Sequence, residues 1–202
     1  MDASVDGILA ASSLRIESDR ARLVYVHDSP RGEECVASDP TSAGRLAADL
    51  LSESGYDRIA LVTSPNPTDA VATRTRSAKA RLRSQGIECD LTTAPYDQQA
   101  ARDAVAAYLF RHRRSVGLLC ITDDHAVGAI AGVHEAGWSV PDDVGPVSVD
   151  GTQTTDATRP RITSVAFPIV EMGQLAVAVC KGESQVLKER LPQYGPFSAD
   201  PR

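Results

Sequence analysis

Polar side chains that could bind a small molecule follow four apolar, strand-like runs of the sequence, at the point where each run ends. They are His27 and Asp28 after LVYV, Thr63 to Pro67 after IALV, Thr122 to Asp124 after LLCI, and Asp150 after PVSV. Because loops at the carboxyl ends of parallel strands converge on one crevice, a carboxylate there can accept hydrogen bonds from a polyol or an amide. The alternative is that an aspartate after a strand caps the next helix, as Asp123 or Asp124 could.

The sequence lacks the patterns that hold metals, phosphates or activated nucleophiles. Its four cysteines, Cys35, Cys89, Cys120 and Cys180, lie far apart without CxxC or CxxH spacing. They are therefore predicted to be reduced thiols and to form neither a zinc site nor a disulfide framework. No GxGxxG, Walker, HExxH or GxSxG motif occurs. We therefore expect no catalytic residues, no metal and no cofactor.

Composition places the chain among ordinary soluble globular proteins. It has 202 residues, of which 42% are hydrophobic and 24% charged, with a formal net charge of -6, so collagen-like, coiled-coil and disordered classes are excluded. No apolar run approaches the ~18 residues that cross a bilayer, and the N-terminus lacks a basic secretory n-region. These features predict a cytoplasmic protein without a membrane partner. The net negative charge argues against a protein whose main function is to bind DNA.

Apolar runs alternate with segments of helical periodicity, which is typical of parallel β/α units. The predicted strands are Val5 to Ala10, Arg22 to Val26, Arg58 to Val62, Glu88 to Thr92, Val116 to Ile121, Gly145 to Val149 and Arg161 to Ala166. Predicted inner helix faces are Leu46, Ala47, Leu50 and Leu51; Ala101, Val105, Tyr108 and Leu109; Val127, Ile130, Ala131 and His134; and Met172, Leu175, Ala176 and Val179. The pattern predicts an α/β fold with parallel sheets flanked by helices.

Three stretches, in a fixed order, resemble the lactose/galactose repressor (LacI/GalR) family. They are GRLAADLLSESGYDRIALV at 44–62, LLCITDDHAVGAIAGVHEAGWSVPDDVGPVSVDG at 118–151, and RITSVAFPIVEMGQLAV at 161–177. The resemblance implies the two-lobed periplasmic-binding-protein type I fold, in which three crossovers join the lobes and a small effector lies between them. Residues 1–37 and 166–188 would form a partial N-terminal lobe, and 38–165 with 189–202 the C-terminal lobe. The crossovers would fall near Val36 to Asp39, Val165 to Phe167 and Leu187 to Pro192.

The sequence also departs from the family pattern at its start. A helix-turn-helix domain, a hinge helix and the first two βα units of the N-terminal lobe have no counterpart in the 202 residues. We therefore expect an incomplete N-terminal lobe in which the strand VDGIL lacks a neighbour on one edge. DNA would be bound only through a helix-turn-helix domain absent from this chain, and the resemblance implies a homodimer.

The resemblance also assigns positions in an effector site. Arg74 falls where the family places an arginine that reaches the effector, although it belongs to a basic run that could be a solvated helix face. Asp150 matches the first Asp of the family's GFDD turn, which accepts hydrogen bonds from ligand hydroxyls. Thr122 replaces an asparagine, and Asp123 matches the aspartate after it.

Three further positions complete the predicted site. His27 replaces a family aspartate after the second strand, so a group that titrates near neutrality takes the place of an acceptor, and Asp28 follows it directly. Tyr96 matches an aromatic position on the pocket wall, where a ring can stack on a sugar. Filling of the core, or a surface location, would explain this tyrosine equally well.

The leading hypothesis is a non-enzymatic effector-binding and dimerisation core of a LacI-type transcriptional regulator, with a sugar or related metabolite as effector. One alternative is a transport-associated sugar-binding protein of the same fold, which would need an export signal. The other is a phosphoribosyltransferase-like enzyme, in which Asp123 and Asp124 would hold a ribose. That hypothesis lacks a phosphate turn, because three residues separate the acids from Gly128.

Overall fold

The computed structural model describes residues 5–11, 15–19, 21–27, 29, 33–112 and 115–183, and the backbone of 196–197. The chain divides into two compact units, Met1–Asp39 with Phe167–Gln193, and Pro40–Ala166 with Tyr194–Arg202. Within the described residues, no helix combines the length and the hydropathy needed to cross a bilayer.

Strands and helices alternate along most of the chain. The strands are β1 Gly7–Ala10, β2 Arg22–Val26, β3 Cys35–Val36, β4 Arg58–Thr63, β5 Cys89–Thr93, β6 Val116–Cys120, β7 Val144–Asp150, β8 Thr163–Ala166 and β9 Pro196–Phe197. The helices are α1 Pro40–Ser52, α2 Asp69–Ser84, α3 Gln98–Leu109, α4 Asp123–Glu135, α5 Gln153–Ala157 and α6 Ile169–Cys180. All seven predicted strands are present with ends within about two residues, while the short β3 and β9 were not predicted. The predicted fold of parallel sheets flanked by helices is confirmed.

The first unit is a three-stranded parallel sheet covered by α6. Its strand order is β1-β2-β3, so β1 pairs within the described residues only with β2. Val24 and Val36 of the sheet pack against Met172, Ala176 and Val179 of the helix. The predicted inner face of α6 is confirmed, except that Leu175 is half-buried.

The second unit is a six-stranded sheet in the order β5-β4-β6-β7-β8-β9, parallel except for β9, which runs antiparallel to β8. From β4 the chain passes through α2 to β5 on one side, and α3 then carries it across to β6 on the other side of β4. The strand order therefore reverses between β4 and β6. Such a reversal separates the loops that follow the two strands and opens a crevice at their carboxyl ends.

Two pairs of helices cover the sheet of the second unit. Gly44 of α1 lies against the backbone of α2 at Arg74, and Gly128 of α4 lies against the carbonyl of Gln98 in α3. This close approach decides which side of α4 is buried. The buried apolar residues of α4 are Ala126, Ala129, Ile130 and Val133, whereas Ala131 and His134 are exposed. The predicted stripe of α4 was thus right for Ile130 and wrong for Ala131 and His134, because the contact with α3 is made through Gly128 and Gly132.

We expect Gly128→Ala to lower the free energy of unfolding by about 1–3 kcal/mol, because its methyl group would overlap the Gln98 carbonyl and the Ala101 side chain. Gly173→Ala is the matched control: this helical glycine has no atom within 4 Å of the added methyl group, and alanine should stabilise α6 by up to about 1 kcal/mol. Urea unfolding of both variants tests the prediction. Equal stabilities would mean that α3 and α4 do not approach each other this closely.

Candidate functional site

A buried ion pair connects α2 to the carboxyl ends of β6 and β7 in the second unit. Arg74 of α2 is 2% exposed, and its Nη1 donates to Asp150 Oδ1 at 3.0 Å and to the Ile121 carbonyl at 3.1 Å. Asp150 ends β7, and Ile121 directly follows β6. The other cations of the basic run are exposed, so Arg74 is its inward-facing member. The structure brings together the two residues that the sequence predicted, Arg74 and Asp150.

Asp150 occupies an electrostatically and conformationally unusual position. Burial raises its pKa to about 7, although the Arg74 guanidinium lowers it, and the negative charge of Asp123 raises it further. Its φ of 137° is rare for a residue with a side chain. The carboxylate keeps 24% of its surface exposed, so it can still accept a hydrogen bond from a bound molecule.

The Asp123 carboxylate is already hydrogen-bonded within the protein, although the sequence predicted that it binds a ligand. Its side chain is buried, and its Oδ1 accepts from the hydroxyls of Ser148 at 2.6 Å and Ser164 at 2.7 Å. Its Oδ2 accepts from the amide of Thr152 at 2.7 Å and from the hydroxyl of Thr152 at 2.8 Å. The carboxylate therefore carries four hydrogen bonds from within the unit. Its backbone amide also donates to Asp150 Oδ2, at 3.4 Å.

Thr122 is the N-cap of α4, so the alternative in which Asp123 or Asp124 caps this helix was wrong. Its hydroxyl accepts from the amide of His125 at 3.3 Å and lies 2.7 Å from His125 Nδ1. Thr122 adopts the extended backbone that a cap requires, while Asp123 is already helical. A threonine hydroxyl is sufficient for this capping bond. It lacks the separate donor and acceptor groups with which an asparagine amide could bind a ligand.

His125 hydrogen-bonds to the loop that carries Tyr96. The imidazole is fully buried, and its Nε2 lies 3.0 Å from the Ala94 carbonyl. Since a carbonyl only accepts, Nε2 carries the hydrogen and Nδ1 accepts from Thr122 in the neutral ring. Tyr96 is 45% exposed, its ring centroid lies 5.7 Å from that of His125, and its hydroxyl accepts from the Thr68 amide. An exposed aromatic face thus borders the same end of the sheet.

The remaining predicted site residues belong to the first unit. His27 directly follows β2, has a φ of 76° and makes an edge-to-face contact with Phe167, with ring centroids 4.8 Å apart. It is half-buried. Asp28 lies outside the described residues. The ligand-binding roles of both residues stay predictions.

Sequence reasoning missed the residues that hold the acidic loops in place, namely Ser148, Ser164, Thr152 and His125. Ser148 and Ser164 interrupt two otherwise apolar strands, and a buried hydroxyl must find a partner. The two serines therefore indicate, from sequence alone, that a hydrogen-bond partner is buried beside these strands. His125 gave a weaker signal, since its two partners come from the cap of its own helix and from a loop about 30 residues earlier.

Known proteins match the chain over most of its length. The periplasmic binding protein-like domain family matches residues 48–184. The transcriptional regulator GalR of Escherichia coli is 26% identical over 167 residues, covering 80% of this chain and 49% of the relative. The regulator CelR of Thermobifida fusca is 30% identical over 184 residues, covering 84% and 54% respectively. The chain spans about half the length of these curated relatives.

A solved structure is similar in both sequence and fold. The LacI family transcriptional regulator from Enterococcus faecium with bound ribose has a TM-score of 0.79 and 27% identity. The similarity covers 98% of this chain and 81% of that one. The family match, the curated regulators and this structure agree with the resemblance found in the sequence. The chain belongs to the family of periplasmic binding protein-like domains and is homologous to LacI-family regulators.

Proposed function

We propose that the chain is the effector-binding and dimerisation core of a LacI-type transcriptional regulator whose effector is a sugar. The observation that carries the proposal is the buried Arg74–Asp150 pair beside the reversal of strand order between β4 and β6. A partly exposed carboxylate held by a guanidinium is suited to a neutral polyol, because it accepts from hydroxyls without needing a counter-ion. Bound ribose in the Enterococcus faecium relative supports a sugar.

In this proposal, Asp150 accepts hydrogen bonds from sugar hydroxyls and Tyr96 stacks on the ring. Arg74 holds Asp150 in place, and Thr122 and Asp123 shape the loop beneath it. His27 and Asp28 are also proposed as effector-binding residues, and the two units are the lobes of the type I fold. Binding would shift the population between two states of a homodimer. DNA would be contacted through a helix-turn-helix domain outside these residues, in the cytoplasm.

The proposal includes no catalytic step. The enzyme alternative needs Asp123 and Asp124 to hold a ribose, but Asp123 already accepts four hydrogen bonds and Asp124 accepts from Gln98 at 3.0 Å. These contacts favour a binding protein over a transferase. No observation favours the transport alternative, and the curated relatives named above are transcriptional regulators.

A thermal-shift screen tests the proposal with a panel that includes D-ribose, D-galactose, lactose, nucleosides and phosphoribosyl pyrophosphate. We expect at least one neutral sugar to raise the melting temperature by mass action. Asp150→Asn should weaken the binding of that sugar by about 10- to 100-fold, since it removes a charge-assisted acceptor. The control Asp124→Asn should bind as the wild type does. Release of pyrophosphate, or stabilisation only by phosphorylated compounds, would contradict the proposal.

A further inference from the structure

The turn Ile121–His125 contacts each of the loops around it, one residue after another. The Ile121 carbonyl accepts from Arg74, Asp124 accepts from Gln98, and His125 reaches the Ala94 carbonyl. Asp123 is the member of this turn that faces β7, β8 and the loop after β7. The turn therefore hydrogen-bonds to α2, α3, β7, β8 and the loops that follow β5 and β7.

The contacts of Asp123 hold both sides of Asp150. On one side, the Asp123 amide donates to the Asp150 carboxylate, and on the other the Asp123 carboxylate binds Thr152, two residues along the chain. Between them, the Gly151 amide donates to the hydroxyl of Ser164, which itself donates to Asp123. The rare φ of Asp150 thus lies between bonds that lead back to one residue, Asp123, through its amide and its carboxylate. Such a conformation persists only when its surroundings over-determine it.

We propose that Asp123 is a positioning residue, which fixes the backbone of 150–152 so that Asp150, and not Asp123 itself, meets the effector. This inference deepens the proposed function and depends on it only in assuming that a small-molecule effector binds at Asp150. Asp123 has no exposed surface to offer a sugar beyond 3%, and its acceptor sites are occupied. Ser148 and Ser164 place two hydroxyls against a single oxygen, an arrangement that serves a fixed carboxylate and not an exchangeable ligand contact.

Two substitutions separate positioning from direct contact. In Asp123→Asn, the amide oxygen can still accept from the Thr152 amide, while the amide nitrogen can donate to the two serine hydroxyls, which are free to reorient. Asp123→Ala removes all four bonds. Asp124→Asn is the control, because it removes the same charge from the adjacent, exposed residue.

The first readout is hydrogen exchange of the Thr152 amide, measured by NMR on the 21.4 kDa chain without ligand. We expect Asp123→Asn to keep its protection within about threefold, and Asp123→Ala to lose about tenfold, as removal of a charge-assisted bond predicts. If Asp123→Ala does not fold, Thr152→Val, which replaces only the hydroxyl with a methyl group, should lower the protection of the residue 152 amide about threefold. Unchanged protection in the alanine variant, or in Thr152→Val where alanine fails, would overturn the proposal.

The second readout is the titration of the Asp150 carboxyl carbon. The charged groups that face Asp150 are Arg74 from α2 and Asp123 from α4, and the described residues of β8 add no titratable group. Because the charge of Asp123 raises the pKa of Asp150, Asp123→Asn should lower that pKa, and Asp124→Asn should leave it in place. A pKa that does not move in Asp123→Asn would show that the two carboxylates are not neighbours, which contradicts the proposed arrangement.

The third readout uses D-ribose, or the sugar that stabilises the wild type in the screen above. Asp123→Asn should keep the affinity within about threefold, and Asp123→Ala should lose about tenfold. If Asp123→Asn abolishes binding while Thr152 stays protected, Asp123 contacts the sugar and the inference is wrong. If no sugar binds the wild type, the proposed function fails, while the exchange and titration readouts still decide the role of Asp123.

Discussion

Arg74→Met should lower the free energy of unfolding of the second unit by about 3 kcal/mol at pH 8. The substitution keeps most of the buried volume but removes the cation from Asp150 and the donor from the Ile121 carbonyl. Breaking a buried ion pair by removing one partner is strongly destabilising, because the other charge stays buried without compensation. Urea unfolding followed by the fluorescence of Trp138, the chain's one tryptophan, reports on this unit, since Trp138 packs against its core.

The control for this prediction lies on the same helix. Arg76→Met changes an exposed arginine two residues away and should shift stability by no more than about 0.5 kcal/mol. The loss in Arg74→Met should shrink at pH 5, where Asp150 can take up a proton and no longer needs a cation. If both methionine variants have the same free energy of unfolding, Arg74 and Asp150 do not pair in solution. The observation that carries the proposed function would then be wrong.

The second large effect is a pH dependence that Asp150→Asn should abolish. The pKa of Asp150 is about 7 in the folded chain and 3.8 in the reference state. The folded state therefore binds more protons between these values, and stability is fully present below pH 4 and falls as the pH rises toward 7. About three pH units at about 1.4 kcal/mol each give a loss of up to about 4 kcal/mol relative to Asp150→Asn.

The measurement is the unfolding free energy of wild type and variant at intervals from pH 4 to pH 8. The difference between the two curves isolates Asp150, because other carboxylates titrate in both proteins. Asp124→Asn should retain the wild-type slope, since its carboxylate is exposed. Parallel curves for wild type and Asp150→Asn would mean that Asp150 titrates near its usual pKa and is better solvated than its position suggests.

The sequence predicted the strands and most of the inner helix faces, and the face of α4 was the exception. Strands such as Arg22–Val26 consist of runs of residues with high β propensity bounded by polar residues, and both signals are local. The inner side of α4 depends instead on Gly128 and Gly132, which face the α3 backbone. Helical spacing from Val127 and Ile130 instead selected Ala131 and His134, which are exposed. Close helix contact through small residues depends on the partner helix and is not visible in one segment.

The site shows the same division between local and distant information. Arg74 and Asp150 were predicted from the resemblance, and the structure pairs them across 76 positions of the sequence. The saturation of Asp123 could not be predicted from its motif, because its partners come from β7, β8 and the loop between them. A motif identifies which residue types stand after a strand. Whether a carboxylate is available or already satisfied depends on hydroxyls far away in the chain.

The placement of Cys120 has a consequence for how opening of the second unit could be followed. Its thiol lies at the carboxyl end of β6 with no exposed surface, and burial raises its pKa well above the usual range. A thiol-reactive dye needs the thiolate, so modification of this sulfur must wait until the strand separates from the helices above it. The rate of labelling at Cys120 would therefore measure how fast the interior of the sheet becomes accessible to solvent.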